Sequence, residues 1–155
     1  MDHQALDDME KLNRQKAIIR YLESSNGQNL NHAMLTSGPN AGQTAGGAYG
    51  ILPSSLRDFA NQSMNRNIGV DPDLLVEMDK PADEVTNQLN SRPELDDKAA
   101  EMALRLINAK TGGDEAKTAY AWRTGHNQSP AQMEHASEHP YVQAYQKQRE
   151  KYLST

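Results

Sequence analysis

Proline and glycine cut this chain into helix-length pieces, and that punctuation constrains the fold more than any other feature of the sequence. Pro53-Ser54-Ser55 opens an apolar-periodic segment that runs to about Asn65, with Leu56, Phe59, Ala60 and Met64 on its core side. Asp71-Pro72 supplies an N-cap and first-turn pair for a short helix carrying Leu74, Leu75 and Met78, and Pro81 opens another with Val85 and Leu89. Pro93 begins the longest central helix, to about Lys110, and its Ala99, Ala100, Met102, Ala103, Leu104, Leu106 and Ile107 cover most of the helical wheel. A helix apolar nearly all round belongs at the centre of a fold. Gly112-Gly113 ends it, Asp114 caps a helix that stops near Gly125, and Ser129-Pro130 starts a short one before a terminal amphipathic helix with Tyr141, Val142 and Tyr145. Ahead of all these, residues 4–24 place Leu6, Met9, Leu12, Ile18, Ile19 and Leu22 roughly on one stripe. β-branched residues never alternate over more than a few positions, so the sequence predicts an all-α chain of seven or eight helices, with at most a short β-hairpin between residues 28 and 50.

At 155 residues the chain fits a single domain spanning 1–155, and with aromatics at only 5% its core must come mainly from Leu, Ile, Ala, Met and Val. The absence of cysteine removes disulfides, thiolate catalysis and thiolate metal sites together. A formal charge of −5 with no Lys/Arg patch argues against nucleic acid as a partner. No apolar run reaches the length of a membrane span. The start, MDHQALDDMEK, has neither a basic n-region nor an apolar h-region, so delivery by something other than a signal peptide is expected. His135 and His139 have helical spacing but no Glu between them in a zinc-binding order, and no metal or cofactor is expected.

One stretch does not conform to the helical pattern. Tyr21 to Pro53 begins on the last turn of the first helix with Glu23, passes through a long Gly-, Asn-, Ser- and Thr-rich segment, and steps into the next helix. Between Glu23 and Asp58 there is no other acid, and His32 is the only basic side chain before Arg57. A loop this long inside a compact domain is uncommon unless it is functional or disordered. Glu23 sits where the helix dipole favours the neutral carboxyl, the form a general acid needs. Downstream, Tyr120, Trp122, His126 and Asn127 crowd a helix end, and a phenol there can donate to a carboxylate.

These pieces together resemble the lysozyme-like soluble lytic transglycosylases, of the goose-type lysozyme superfamily. The resemblance rests on Glu23-Ser24, then Thr44-Ala45-Gly46-Gly47-Ala48-Tyr49-Gly50-Ile51, then Pro53, then Ala119-Tyr120 with Gly125, in that order over about residues 16–127. It implies a lysozyme-like helical fold, a groove for peptidoglycan glycan strands, and cleavage between N-acetylmuramic acid and N-acetylglucosamine. Glu23 would be the single acid/base and Tyr120 the tyrosine whose hydroxyl holds it. Ser24 would match the serine after the glutamate, and Gly47, Ala48, Tyr49 and Gly50 would line the sugar sites, with His32, Thr44, Trp122, His126 and Asn127 around them. Two departures stand out: Gly50-Ile51-Leu52-Pro53 lacks the family's glutamine, for which Asn127 or His126 would substitute, and Ala119-Tyr120-Ala121-Trp122 displaces a glycine to Gly125.

Glycosidases generally use two carboxylates. The loop that should supply a second one has none, which favours attack by the sugar's own C6 hydroxyl and a 1,6-anhydro product. A hydrolytic muramidase drawing on Asp58 or Glu77 is the alternative, and a non-enzymatic helical interaction module is the competing class. The expected place of action is the bacterial cell wall, reached with a phage particle, as a phage endolysin, or through a bacterial secretion machine.

Overall fold

The computed structural model describes residues 2–154, and their regular elements are helices: α1 (His3–Ser24), α2 (Pro53–Asn65), α3 (Pro72–Glu77), α4 (Ala82–Ser91), α5 (Pro93–Thr111), α6 (Glu115–Thr124), a short 3-10 helix (Ala136–Glu138) and α7 (Pro140–Leu153). The prolines at 53, 72, 93 and 140 all sit in the first turn, where a missing N–H costs nothing. Asp71 and Asp114 accept from backbone N–H groups of the helices they open. His135 and His139 share no helix: they flank the 3-10 turn, and His139 caps α7 by accepting from the Tyr141 N–H. Among the described residues extended pairing is confined to two isolated bridges, Met34 with Thr44 and Gly46 with Ile51.

Helix α5 is the axis of the packing. Leu95, Ala99, Ala100, Ala103, Leu104 and Leu106 are sealed from solvent, and α1, α2, α3, α4 and α6 all lie against it. Three alanines on its surface let neighbouring helices approach closely. Helix α7 closes the other side of α1 and α6, burying Val142 and Tyr145. Polar pairs fix the register of these contacts. Gln15 and Asn108 exchange amide hydrogen bonds of 2.9 and 2.8 Å between α1 and α5, and Glu115 is held by Arg14, Tyr145 and Arg149 where α1, α6 and α7 meet. Leu6, Met9, Met64 and Leu75, expected in the core, are exposed instead. Periodicity identifies an apolar face, but only tertiary packing decides which turns of that face are covered.

The segment 25–52 is an ordered loop. Its hairpin arm is held by hydrogen bonds of Leu35 N to Gln43 O and of Gly42 N to Leu35 O. Its second half folds into a tight turn in which Gly46 and Ile51 exchange backbone bonds of 2.8 and 3.1 Å. Residues 46–49 are buried against the α4–α5 corner: Gly47 N–H donates to Asn90, Ala48 N–H to Asp96, and the Tyr49 hydroxyl to Asp97. Gly47 has φ +76° and lies so close to the Asp96 carboxyl that a Cβ would fall 2.0 Å from its oxygen, so no other residue fits. Asp96 and Asp97, in the first turn of α5, are thus the anchors of the loop.

Asp96 accepts that single backbone bond while its other oxygen is buried without a partner. Burial raises its pKa to about 7 against an ordinary 3.8, with the neighbouring Asp97 charge acting in the same direction. The folded state therefore holds a proton that the unfolded chain has already lost. The resulting stabilisation is complete below the unfolded value and disappears as pH rises through about 7. Denaturant titrations of the wild type and Asp96→Asn between pH 4 and 8 should show wild-type stability falling relative to the variant, on the order of 2 to 4 kcal/mol across that range. Parallel curves would mean that Asp96 is ionised throughout.

Candidate active site

Helix α1 ends abruptly, and the way it ends presents Glu23. Ser25 and Asn26 adopt left-handed conformations, their N–H groups returning to Tyr21 and Arg20 carbonyls in a Schellman-type stop. Ser24 completes it: its hydroxyl donates to the Arg20 carbonyl and accepts from Gly27 N–H, at 3.0 and 2.8 Å. Ser24 is buried, forms part of the helix terminus and does not line the groove that Glu23 enters. Glu23, in the last turn, projects instead into an open groove of about 820 Å³.

The groove runs between the loop and the end of α6. One wall is His32, Leu35, Gly50, Ile51 and Leu52; the other is Phe59, Trp122 and the stretch 123–128. Phe59 and Trp122 stack at 6.4 Å with rings 16° apart, and His126 lies against Phe59 at 4.3 Å. Phe59 is itself buried, so the aromatic surface open to the groove is the half-buried ring of Trp122, with Phe59 behind it. Gly50, φ +67°, brings backbone against the carboxyl: a Cβ there would be 3.1 Å from Glu23 Oε2. His32 Nε2 donates to the Gly47 carbonyl at 2.8 Å, which ties the groove edge to the anchored turn.

Glu23 receives its hydroxyl partner from Tyr141, whose Oη donates to Oε1 at 3.1 Å. Tyr120 does not fill that role. Its half-buried ring meets His139 edge-on at 5.5 Å, and no hydrogen bond joins it to Glu23 among the described residues. The first turn of α7, folded back over α6 and the end of α1, brings Tyr141 to the carboxyl. The signal was available in His139-Pro140-Tyr141, a tyrosine in the first turn of an amphipathic helix, but its partner lies 118 residues away.

Of the other expected site residues, His32, Gly50, Trp122, His126 and Asn127 line the groove, whereas Gly47, Ala48 and Tyr49 do not. Those three are buried in the turn beneath it, and Thr44 pairs with Met34 and accepts from Thr86 through its carbonyl. Arg123, unremarked in the sequence, lies over the Tyr141 ring with its guanidinium 5.8 Å from the centroid. Among the described residues no three His, Asp or Glu side chains gather as a metal site.

Burial raises the Glu23 pKa above its ordinary value, and the Tyr141 hydrogen bond and the Arg123 and His32 charges only partly oppose it. Burial and the adjacent carboxylate push the Tyr141 hydroxyl up, so it remains a donor. The sequence had pointed to the helix dipole for this effect; desolvation is the dominant cause. Glu23 is the sole carboxyl among the groove-lining residues, which also carry an aromatic wall and close-approaching backbone. Such a group can give a proton to a bound ligand's oxygen and take one back.

No family model matches this chain, and neither a curated protein nor a solved structure does so.

Tyr141→Phe removes a bond that favours the ionised carboxyl. The Glu23 carboxyl, followed by carbon-13 NMR in selectively labelled protein, should therefore titrate above the ordinary glutamate range in the wild type and higher still in the variant. A downward move would place the hydrogen bond on the protonated form instead.

Proposed function

We propose that this chain is a peptidoglycan lytic transglycosylase of lysozyme-like fold that cleaves the β-1,4 bond from N-acetylmuramic acid to N-acetylglucosamine. The observation that carries the reading is the desolvated Glu23, the lone carboxyl lining a groove walled by Phe59 and Trp122 and bonded by Tyr141. The motif order from Glu23-Ser24 through Gly46-Gly47-Ala48-Tyr49-Gly50 to Ala119-Tyr120 agrees with the reading at Glu23 and Gly50, its members on the groove.

In this mechanism the protonated Glu23 gives its proton to the glycosidic oxygen. The C1–O bond breaks, with its electron pair leaving on the N-acetylglucosamine O4. The carboxylate then removes the proton from the muramoyl C6 hydroxyl, whose oxygen closes on C1 as a 1,6-anhydro ring. Glu23 ends protonated again, and no water is consumed. Burial keeps the acid form available for the first half, and Tyr141 steadies the anion that exists between the halves. The aromatic wall holds sugar faces, and Gly50 lets the strand approach the backbone. Asn127 and His126 stand on the groove wall in place of the family's glutamine as polar partners for the acetamido and hydroxyl groups.

The place of action is the bacterial wall. The net charge of −5 opposes free approach to an anionic polymer, which supports positioning by a larger assembly such as a phage particle or secretion machine.

Glu23→Gln keeps an acceptor for Tyr141 but cannot donate a carboxylic proton. Turbidity clearing of purified sacculi should fall by about 10² to 10⁴-fold, with the melting temperature little changed. Undiminished clearing would remove Glu23 from the chemistry, and absence of clearing by the wild type as well would favour a non-enzymatic helical binding module.

A further inference from the structure

On the groove wall stands a polar cluster whose carboxylate, Asp58, the single-carboxylate route does not use. Asp58 on α2 accepts from His126 Nε2, from Asn127 Nδ2 at 3.2 Å and from Gln62 Nε2 at 2.9 Å. Lys110 on α5 braces the same stretch, donating to the His126 carbonyl at 2.7 Å, to Gln62 Oε1 at 3.0 Å and to Asn127 Oδ1 at 3.1 Å. Asp58 and Lys110, from two helices, thus hold His126 in place, Gln62 bonding its neighbour Asn127, and both loop residues line the groove.

The hydrogen bonds determine which face of the imidazole is free. Burial pushes the Asp58 carboxyl up, but hydrogen bonds from His126 and Asn127 outweigh it, and the net position is below the usual carboxylate range. An ionised Asp58 can only accept, so Nε2 of His126 carries a proton, and in the neutral ring Nδ1 keeps the lone pair. Nδ1 has no hydrogen-bond partner among the described residues and is not sealed from solvent. An imidazole on a groove wall, oriented by a carboxylate and with its other nitrogen unpartnered, is the arrangement of a general base.

We propose that His126, backed by Asp58, is a second base of this groove, and that it diverts part of the reaction to water so that the enzyme releases hydrolysed as well as anhydro ends. The proposal rests on the glycan-cleaving reading of Glu23. Glu23 again protonates the leaving oxygen and the C1–O bond breaks. A water oxygen then bonds to C1 in place of the C6 oxygen, and its proton passes to His126 Nδ1, leaving an imidazolium paired with the Asp58 carboxylate. His126 returns that proton to solvent, and Glu23 is reprotonated from solvent. The net change is one water consumed and one reducing-end muramic acid formed. Asp58, which touches neither sugar nor water in this scheme, is a positioning residue.

The test is product analysis of purified sacculi digested in oxygen-18 water by the wild type, His126→Gln and Asp58→Asn. Mass spectrometry would score anhydro ends against reducing ends carrying one heavy oxygen. The wild type should form both, and each variant should lower the ratio of labelled reducing ends to anhydro ends by at least about tenfold. Loss of folded protein or a purely structural role would lower both products together and leave the ratio unchanged, which would overturn the proposal. Anhydro ends alone from the wild type would also overturn it, while leaving the Glu23 route intact. Labelled reducing ends alone, lost in both variants, would uphold His126 and overturn the intramolecular route. No cleavage at all by the wild type would overturn both.

Discussion

The contact on which the site depends is a buried carboxyl pressed against a glycine. Asp96, at the start of α5, lies beneath Gly47 and accepts from Ala48 N–H, while Asn90 and Asp97 hold the residues on either side. These contacts make the loop part of the core and fix Gly50 beside Glu23. The long polar loop is thus rigid where it meets the carboxyl and projects as an arm farther out, where Met34 and Leu35 are exposed. A buried acid with one unpartnered oxygen is an expensive anchor. It is tolerated because the protonated form relieves most of the cost, which links the firmness of the loop to pH.

The same economy of charge organises the groove. Glu23 is desolvated and stays neutral more readily than a surface glutamate, whereas Asp58 is surrounded by donors and stays ionised. Two carboxyls near one groove are thereby pushed in opposite directions by their surroundings, one toward the protonated form and the other toward the anion. Tyr141 and Arg123 moderate the first; His126, Asn127 and Gln62 secure the second.

Helix boundaries were legible because they rest on local chemistry: Pro53, Pro72 and Pro93 in first turns, Asp71 and Asp114 as caps, and Gly112 as a stop. The central position of α5 followed from an apolar wheel. Glu23 was legible as an isolated acid at a helix end, and Trp122, His126 and Asn127 as a crowded one. Roles that depend on pairing across the fold were not. Tyr120 and Tyr141 are both tyrosines near helix ends, and only the path of α7 decides which one meets the carboxyl. Asp96 and Asp97 look like ordinary first-turn charges, because nothing local reports that a glycine turn will cover them. Gly47, Ala48 and Tyr49 read as sugar contacts since a glycine-rich motif does not reveal which of its faces is buried.

The bond between Glu23 and Tyr141 joins the end of the first helix to the beginning of the last. A chain growing from its N-terminus completes Glu23, the loop and the aromatic wall well before it makes α7. Until that final helix docks, the carboxyl lacks the hydroxyl that steadies its anion and the packing that helps desolvate it. The surroundings of the carboxyl are therefore complete only once α7 is packed against α1 and α6.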